Sequence, residues 1–306
     1  RQADTATTNN EYGKNALHFA AEYNKTTTTI VQLLLNNMKL EDINHKNIGG
    51  DTPLDHCYHK NSSIKQQLID LIRQKGGKRG SELEEEKKHY ESLNEKYKNE
   101  FPKGTPLVCA CEKGRVEDVE GMIRGARAAG MDVTAMVSEV GTRSDGYRWT
   151  PLTVAAYYER STIIEILLQY NADTATTNEY GYNALHSAAM YNKTTTTTVQ
   201  LLLNNMKLED INHKDTDGNT PLDDCYIHNH SSIKQQLIDL IRQKGGKRGS
   251  ELEEEKKHYE SLNEKYKNEF PKGTPLVCAC EKGRVEDVEG MIRGARAAGM
   301  DVTAMV

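Results

Sequence analysis

A few side chains in this sequence have types and spacings that could bind a metal. His56, Cys57 and His59 lie in one short segment and offer the imidazole and thiolate ligands that zinc prefers. The matching segment later in the chain, around Asp224, loses that spacing, so we do not expect a metal site. Residues 215–220, DTDGNT, resemble a calcium-binding loop, but their glycine is fourth instead of sixth. A turn leading into Thr220 and Pro221 explains them better.

The six cysteines are candidates for redox or nucleophilic chemistry. Four of them occupy positions where a small residue is expected between two helices, so they should pack as small hydrophobic groups; these are Cys57, Cys111, Cys225 and Cys280. Cys109 and Cys278 lie one step off that face, and their CAC spacing is too close for a zinc-binding CxxC pair. Unpaired thiols favour a reducing compartment.

The glycine-rich segment GGKRGS, at 76–81 and 245–250, lacks the GK[ST] ending of a phosphate-binding loop and follows a helical pattern. Its glycines and basic residues are typical of a helix C-terminus. We find no arrangement of nucleophile and base elsewhere. The sequence therefore predicts no catalytic, cofactor or metal site, and no enzymatic activity in this segment.

Four asparagines begin N-x-S/T sequons and are candidate glycosylation sites: Asn24, Asn61, Asn192 and Asn229. Two of them precede threonine tracts, at 26–29 and 194–198. The alternative is chance, because Asn, Ser and Thr are abundant in this composition. Attached glycans would indicate a secreted or cell-surface protein. Without them, a cytoplasmic adaptor is the expected setting, so the compartment stays open.

These residues are positioned by a sequence that repeats itself at two scales. Residues 62–137 recur without change as 231–306, and residues 2–61 recur with substitutions as 171–230. At the shorter scale, "TPL" or "NAL" occurs at seven places along the whole chain: Asn15, Thr52, Thr105, Thr150, Asn183, Thr220 and Thr274. Thr and Asn are good helix N-caps, and Pro suits the first helical position. Small residues follow with helical spacing, as at Leu185, Ala188 and Ala189, and a second apolar helix comes next.

The segments KGTPLVCACEKGRVEDVEGMI and RWTPLTVAAYYERSTIIEILLQYNAD, with YGYNALHSAAMYN, resemble the ankyrin repeat. The resemblance covers seven helix pairs and most of the chain. It implies an all-α fold, an ankyrin-type solenoid of helix pairs with about seven repeats. The sequence departs from the family at the histidine of the pattern, which is present only at His18 and His186.

An extra segment interrupts this spacing twice. Ser81 with Glu84 predicts a capping box, and Pro102 ends the segment. We expect an amphipathic helix over 81–100, with its copy at 250–269. Its apolar side chains have helical spacing and form a predicted docking stripe: Leu83, Tyr90, Leu93, Tyr97 and Phe101. The alternative is a solvated spacer helix.

The predicted organisation has five parts. Residues 1–77 hold a partial repeat tail and two repeats, 78–101 the extra helix, 102–246 four repeats, 247–270 the second extra helix, and 271–306 one repeat. Of the 306 residues 36% are hydrophobic, which is enough to form a core. No apolar run is long enough to span a membrane. The net charge of −5 argues against a nucleic-acid partner. Neither end carries the polar capping repeat of a solenoid, so we expect the array to continue in both directions.

Three functions fit this organisation. The first is a non-enzymatic structural scaffold, a long solenoid or fibre formed by end-to-end stacking of 169-residue units (the shift from Ser62 to Ser231). The second is an intracellular adaptor that binds other proteins. The third is the recognition region of an enzyme or effector whose catalytic domain lies outside this segment. An adaptor predicts a distinctive surface in one copy, whereas a fibre predicts equal surfaces throughout; the near-identity of the copies favours the fibre.

Overall fold

The computed structural model describes residues 10–59, 62–271 and 273–305. Within these ranges the chain forms 19 helices, one two-stranded hairpin and a final 3-10 turn at Val302–Met305. The prediction of an all-α fold of repeated helix pairs is confirmed. The sequence match at residues 2–8, on which the partial repeat tail depends, lies outside the described residues. No helix in the described ranges combines the length and the apolar character needed to cross a membrane.

The helices, in chain order, are α1 Ala16–Tyr23, α2 Thr29–Asn37, α3 Leu40–Ile43, α4 Pro53–Tyr58, α5 Lys65–Gln74, α6 Gly80–Glu100, α7 Pro106–Lys113, α8 Val116–Ala128, α9 Val133–Ser138, α10 Pro151–Tyr157, α11 Ser161–Gln169, α12 Ala184–Tyr191, α13 Thr197–Asn205, α14 Leu208–Ile211, α15 Pro221–His228, α16 Lys234–Gln243, α17 Gly249–Glu269, α18 Pro275–Glu281 and α19 Val285–Ala297. The strands β1 Gly141–Thr142 and β2 Arg148–Trp149 pair antiparallel.

The predicted caps explain where most of the first helices of each pair begin. The Asn183 side chain accepts from the N–H groups of Leu185 and His186, and the Thr150 side chain accepts from the N–H of Thr153. These bonds satisfy donors that the helix itself cannot. Thr105 is an exception, because its hydroxyl accepts from the N–H of Thr142 in β1, at 2.9 Å, and makes no capping bond.

The chain divides into two compact units, residues 1–96 with 120–133, and residues 97–119 with 134–306. In the first unit α1 packs against α4, and Leu17, Leu54 and Leu68 are among the fully buried core residues. In the second unit α7, α10, α12 and α15 pack side by side in chain order, each against the next. This stacking places equivalent positions of successive repeats next to one another.

A five-residue turn precedes several first helices and aligns the repeats with one another. At 143–147, 178–182 and 215–219 the N–H of the first residue donates to the carbonyl of the fifth. The fourth residue is always glycine, with φ of 95° at Gly146, 77° at Gly181 and 86° at Gly218. That left-handed backbone favours glycine. The DTDGNT segment is therefore such a turn, as the sequence indicated.

The N-terminus of the extra helix α17 is anchored to the repeat before it. The Asp223 carboxylate accepts from the backbone N–H of Gly249 at 2.6 Å and from Arg248 Nε at 2.8 Å. Burial would raise the pKa of Asp223, but these bonds and those from Thr220 outweigh burial and lower it. In the first unit Asp55 binds Gly80 and Arg79 in the same way.

The predicted capping box at the start of the extra helix is wrong. Glu82, not Glu84, accepts from the backbone N–H of Arg79, at 2.7 Å. The helix begins one residue earlier than expected, at Gly80, because Asp55 caps that N–H from outside the helix. Glu84 instead pairs with Lys46.

Candidate protein-interaction surface

Five aromatic residues lie close together at the ends of α10 and α12 in the second unit. We call Trp149, Tyr157, Tyr158, Tyr182 and Tyr191 the aromatic surface. Its ring centroids are 5.4 Å apart for Trp149 and Tyr157, 4.7 Å for Tyr157 and Tyr158, and 4.3 Å for Tyr157 and Tyr191. Tyr191 is 38% exposed, Tyr157, Tyr158 and Tyr182 are half-buried, and Trp149 is buried beneath this surface at 6% exposure. The surface is therefore partly open to solvent.

A cation of the chain itself already lies on this surface. Arg143 places its guanidinium 5.0 Å from the ring centre of Trp149 and 5.4 Å from that of Tyr157. It also donates to the Tyr158 hydroxyl at 2.9 Å and pairs with Asp145 at 3.1 Å. Stacking on aromatic faces combined with an ion pair is the contact that guanidinium groups favour.

Two carboxyl groups are buried next to the aromatic surface, and three of their four oxygens lack a hydrogen-bond partner in the described part of the chain. Asp224 is fully buried on α15, and neither of its oxygens has a hydrogen-bond partner within the described part of the chain. Asp215 is 7% exposed, and its Oδ2 is buried and unpaired as well, although its Oδ1 accepts from two N–H groups of its own turn. Burial, together with the nearby carboxylate of Asp215, raises the pKa of Asp224 to about 8.

Tyr182 and Tyr191 adjoin this acidic pair. Burial raises the pKa of both tyrosines, that of Tyr182 to about 12, and the charge of Asp224 contributes to both shifts. His228 Nε2 lies 4.0 Å from Asp224 Oδ1, too far for a hydrogen bond. The hydroxyl of Ser187, which holds in its own repeat the position that Asp224 holds in the next, is also buried without a partner.

The equivalent place in the first unit satisfies its polar groups internally. Lys14 Nζ binds Glu22 at 2.7 Å, and His56 Nδ1 lies 3.4 Å from the same carboxylate oxygen. Asn47 Nδ2 lies 3.3 Å from His56 Nε2. Burial, followed by the charge of Lys14, lowers the pKa of His56. A cation and its counter-ion are thus both supplied by the chain.

In the second unit the four corresponding residues are different. Tyr182 takes the place of Lys14, Met190 of Glu22, Asp215 of Asn47 and Asp224 of His56. The substitutions remove a lysine, a histidine and a glutamate and introduce two aspartates. The second unit therefore holds unpaired acids where the first holds a satisfied ion pair.

Comparison with known families agrees with this repeat pattern. The ankyrin repeat family matches residues 12–48 and 180–216, each of which runs from within one turn, through the helices of the repeat, into the next turn. These two segments are ankyrin repeats. No curated protein matches its sequence. Ankyrin repeats are protein–protein interaction modules and are typically non-catalytic, so the chain carries an interaction module.

The histidine of the ankyrin pattern joins neighbouring repeats. His186 Nδ1 lies 2.8 Å from Asn183 Oδ1, and its Nε2 lies 3.3 Å from the carbonyl of Asn219 in the next turn. His18 makes the same contacts with Asn15 and Asp51. Burial lowers the pKa of both histidines to about 4. At two of the positions where the sequence departs from the pattern, Asp55 and Asp223 instead anchor the extra helix.

Five of the six cysteines are buried, and burial raises the pKa of Cys109 and of Cys225 to about 11. The expectation that Cys280 packs between helices is wrong, because Cys280 is exposed. Its twin Cys111 is fully buried, since α10 packs against α7, and no described helix covers α18 in that way. The described residues contain no group of three or more His, Cys, Asp or Glu side chains that could hold a metal.

The sequon asparagines are placed poorly for glycosylation of the folded chain. The amide nitrogens of Asn24 and Asn192 are buried, and that of Asn229 donates to the carbonyls of Ala189 and Asn192 at 2.8 and 3.0 Å. Asn61 lies outside the described residues. Glycosylation stays a prediction, and at the three described sites it would have to precede folding.

The docking stripe of α6 is largely covered. Leu83, Leu93 and Tyr97 are buried, whereas Tyr90 and Phe101 are half-buried. In the second copy Leu262 and Tyr266 share a core with Met291, and α17 packs along α19.

Glycines on α19 allow this close approach. A Cβ at Gly294 would lie 2.2 Å from Tyr259 Cβ and 2.4 Å from the carbonyl oxygen of Glu255. Gly290 and Gly294, spaced one helical turn apart, could have been found in the sequence as a small-residue face. The acidic pair could not, because its importance comes from the absence of partners in three dimensions.

Proposed function

We propose that this chain binds a partner protein through the aromatic surface, and that these repeats have no catalytic role. The supporting observation is a partly exposed cluster of Trp149, Tyr157, Tyr158 and Tyr191 with Arg143 stacked on it. Trp, Tyr and Arg dominate the energetic centres of protein interfaces. Tyrosine also offers a large contact area at a small cost in side-chain entropy.

The difference between the two copies favours an adaptor over a uniform fibre. Next to the aromatic surface, Tyr182, Asp215 and Asp224 take the place of Lys14, Asn47 and His56 of the first copy. These positions are present in both copies, and none of them lies in the identical blocks, 62–137 and 231–306. A surface that differs between the copies favours recognition of a separate partner.

Selection of binding peptides tests this function. A displayed random peptide library is selected against the whole 306-residue chain, and the enriched peptides are measured against Tyr157→Ala and Tyr191→Ala. We expect each variant to weaken binding about ten-fold or more, because buried interface tyrosines are worth roughly 2 kcal/mol. The matched control is Tyr23→Ala, since Tyr23 is the 63%-exposed counterpart of Tyr191 in the first copy. Peptides that bind all the variants equally would refute the proposal.

We propose end-to-end association as a second candidate, supported by the identity of residues 62–137 with residues 231–306. Sedimentation of the 306-residue chain at increasing concentration tests it: assembly would support the fibre, and a monomer at every concentration would exclude it.

A further inference from the structure

The buried acidic pair is the feature of this molecule that its own residues explain least. Asp224 is fully buried, and three carboxylate oxygens, both of Asp224 and Oδ2 of Asp215, have no hydrogen-bond partner in the described ranges. A buried carboxylate without a donor or a cation is costly. A group of this kind is more useful to a binding site than to a core.

The first unit shows what such a place can hold. There Lys14 supplies an ammonium group, bound to Glu22 at 2.7 Å and next to His56. In the second unit tyrosine replaces the lysine, and His228 Nε2, at 4.0 Å from Asp224 Oδ1, makes no hydrogen bond to it. A cation from outside would complete the second site as Lys14 completes the first.

The neighbouring rings suit a cationic side chain. Tyr182 and Tyr191 adjoin Asp224, and Tyr191 is 38% exposed, so part of its ring is open to a ligand. Aromatic faces attract ammonium and guanidinium groups, and a carboxylate between them adds an ion pair. Arg143 on the same surface is an internal example of both contacts.

We propose that Asp224 and Asp215 form a subsite that receives a lysine or arginine side chain of the partner, between Tyr182 and Tyr191. The inference rests on the proposed function, since the aromatic surface supplies the surrounding contacts. The subsite gives the interaction its specificity for a basic residue. Peptides that lack such a residue leave both oxygens of Asp224 and Oδ2 of Asp215 buried and unpaired, so they should bind more weakly.

Small cations test the subsite without the partner. Ethylguanidinium and butylammonium are titrated into the whole chain and followed by NMR of the Asp side-chain carboxyl carbons and the Tyr rings. Ethylurea, the uncharged analogue of ethylguanidinium, is the control ligand. We expect saturable binding of at least one cation, none of ethylurea, and at least a ten-fold loss of affinity in Asp224→Asn.

Proton release gives a second readout. The groups that face Asp224 are Asp215, Asp217 and Asp223, with Tyr182, Tyr191 and His228 around them. Because the pKa of Asp224 is raised to about 8, it is mostly protonated at pH 7 and must lose its proton to pair with a cation. Calorimetry in buffers of different ionisation enthalpy should show about one proton released per cation bound.

The failures of the two proposals are distinguishable. Selected peptides that depend on Tyr157 and Tyr191 but bind Asp224→Asn unchanged would preserve the proposed function and overturn the subsite. Cation binding that is the same in Asp224→Asn, or no saturable binding, would overturn it as well. A further variant, Asp224→His with Asp215→Asn, restores the residues of the first copy and should also lose cation binding while keeping the fold.

Discussion

Replacing Gly294 by alanine should loosen the extra helix, whereas replacing Gly290 should not. The Cβ added at Gly294 would meet Tyr259 Cβ at 2.2 Å and the Glu255 carbonyl oxygen at 2.4 Å. Neither atom can move without moving the backbone of α17. The Cβ added at Gly290 would meet only the ends of two flexible side chains, His258 and Leu262, at 2.9 to 3.0 Å.

The expected magnitude follows from these distances. Ordinary contacts between carbon atoms need about 3.5 Å, so α17 and α19 must separate by roughly 1 Å at Gly294. Overpacking of this kind costs about 1–3 kcal/mol, and a double contact with fixed atoms falls at the upper end. Alanine regains about 1 kcal/mol of helix propensity. The free energy of unfolding should therefore fall by about 2 kcal/mol in Gly294→Ala, while Gly290→Ala should leave it equal or raise it by up to about 1 kcal/mol.

The measurement combines urea denaturation with hydrogen exchange, because repeat proteins can open locally. Amides of α17 and α19 should exchange faster in Gly294→Ala than in the wild type, and at the wild-type rate in Gly290→Ala. Gly125→Ala and Gly121→Ala repeat the experiment in the first unit, where the Gly125 Cβ would lie 2.3 Å from Tyr90 Cβ. Equal stability of the Gly294 and Gly290 variants would refute the view that α17 and α19 are held at glycine-limited separation.

Three further predictions concern titratable groups. Burial lowers the pKa of His18 and His186 to about 4. The free energy of unfolding should therefore fall by about 3 kcal/mol for each histidine as the pH drops from about 6.5 to 4. Replacing either histidine by Gln should reduce this loss, as measured by thermal unfolding at a series of pH values. Asp223→Asn weakens the charged cap of α17 and should cost about 1.5–3 kcal/mol at pH 7. The pKa of Asp223 is lowered, so the wild-type chain should keep this extra stability down to about pH 4. Below that pH the Tm values of the wild type and of Asp223→Asn should converge. The raised pKa of Asp224 makes the wild-type chain lose stability as the pH rises from about 4 to 8. Asp224→Asn should therefore stabilise the ligand-free chain at pH 7 by about 2–4 kcal/mol. Equal Tm values for the two proteins at pH 7 would contradict this.

The sequence predicts the repeating helices well because their signals are local. A Thr or Asn cap, a following proline and helical spacing of Leu and Ala specify each first helix without reference to the rest of the chain. The start of the extra helix was mistaken because its cap comes from Asp55, 25 residues earlier. The expectation that Cys280 is buried was wrong for a similar reason, because its exposure depends on whether another helix covers α18. The acidic pair is the extreme case, because only a folded structure shows that Asp224 lacks a partner.

The pattern of change between the two copies supports a functional reading of that pair. The unchanged blocks contain the contact at Gly294, where a single added carbon atom would force two helices apart. The changed residues include Tyr182, Asp215 and Asp224, which replace an internal ion pair by unpaired acids. If position 224 served packing alone, an asparagine or an apolar residue there would fill the space with a smaller loss of folding free energy. A buried carboxyl that destabilises the free chain is reasonable where a cation from a partner offsets the cost on binding.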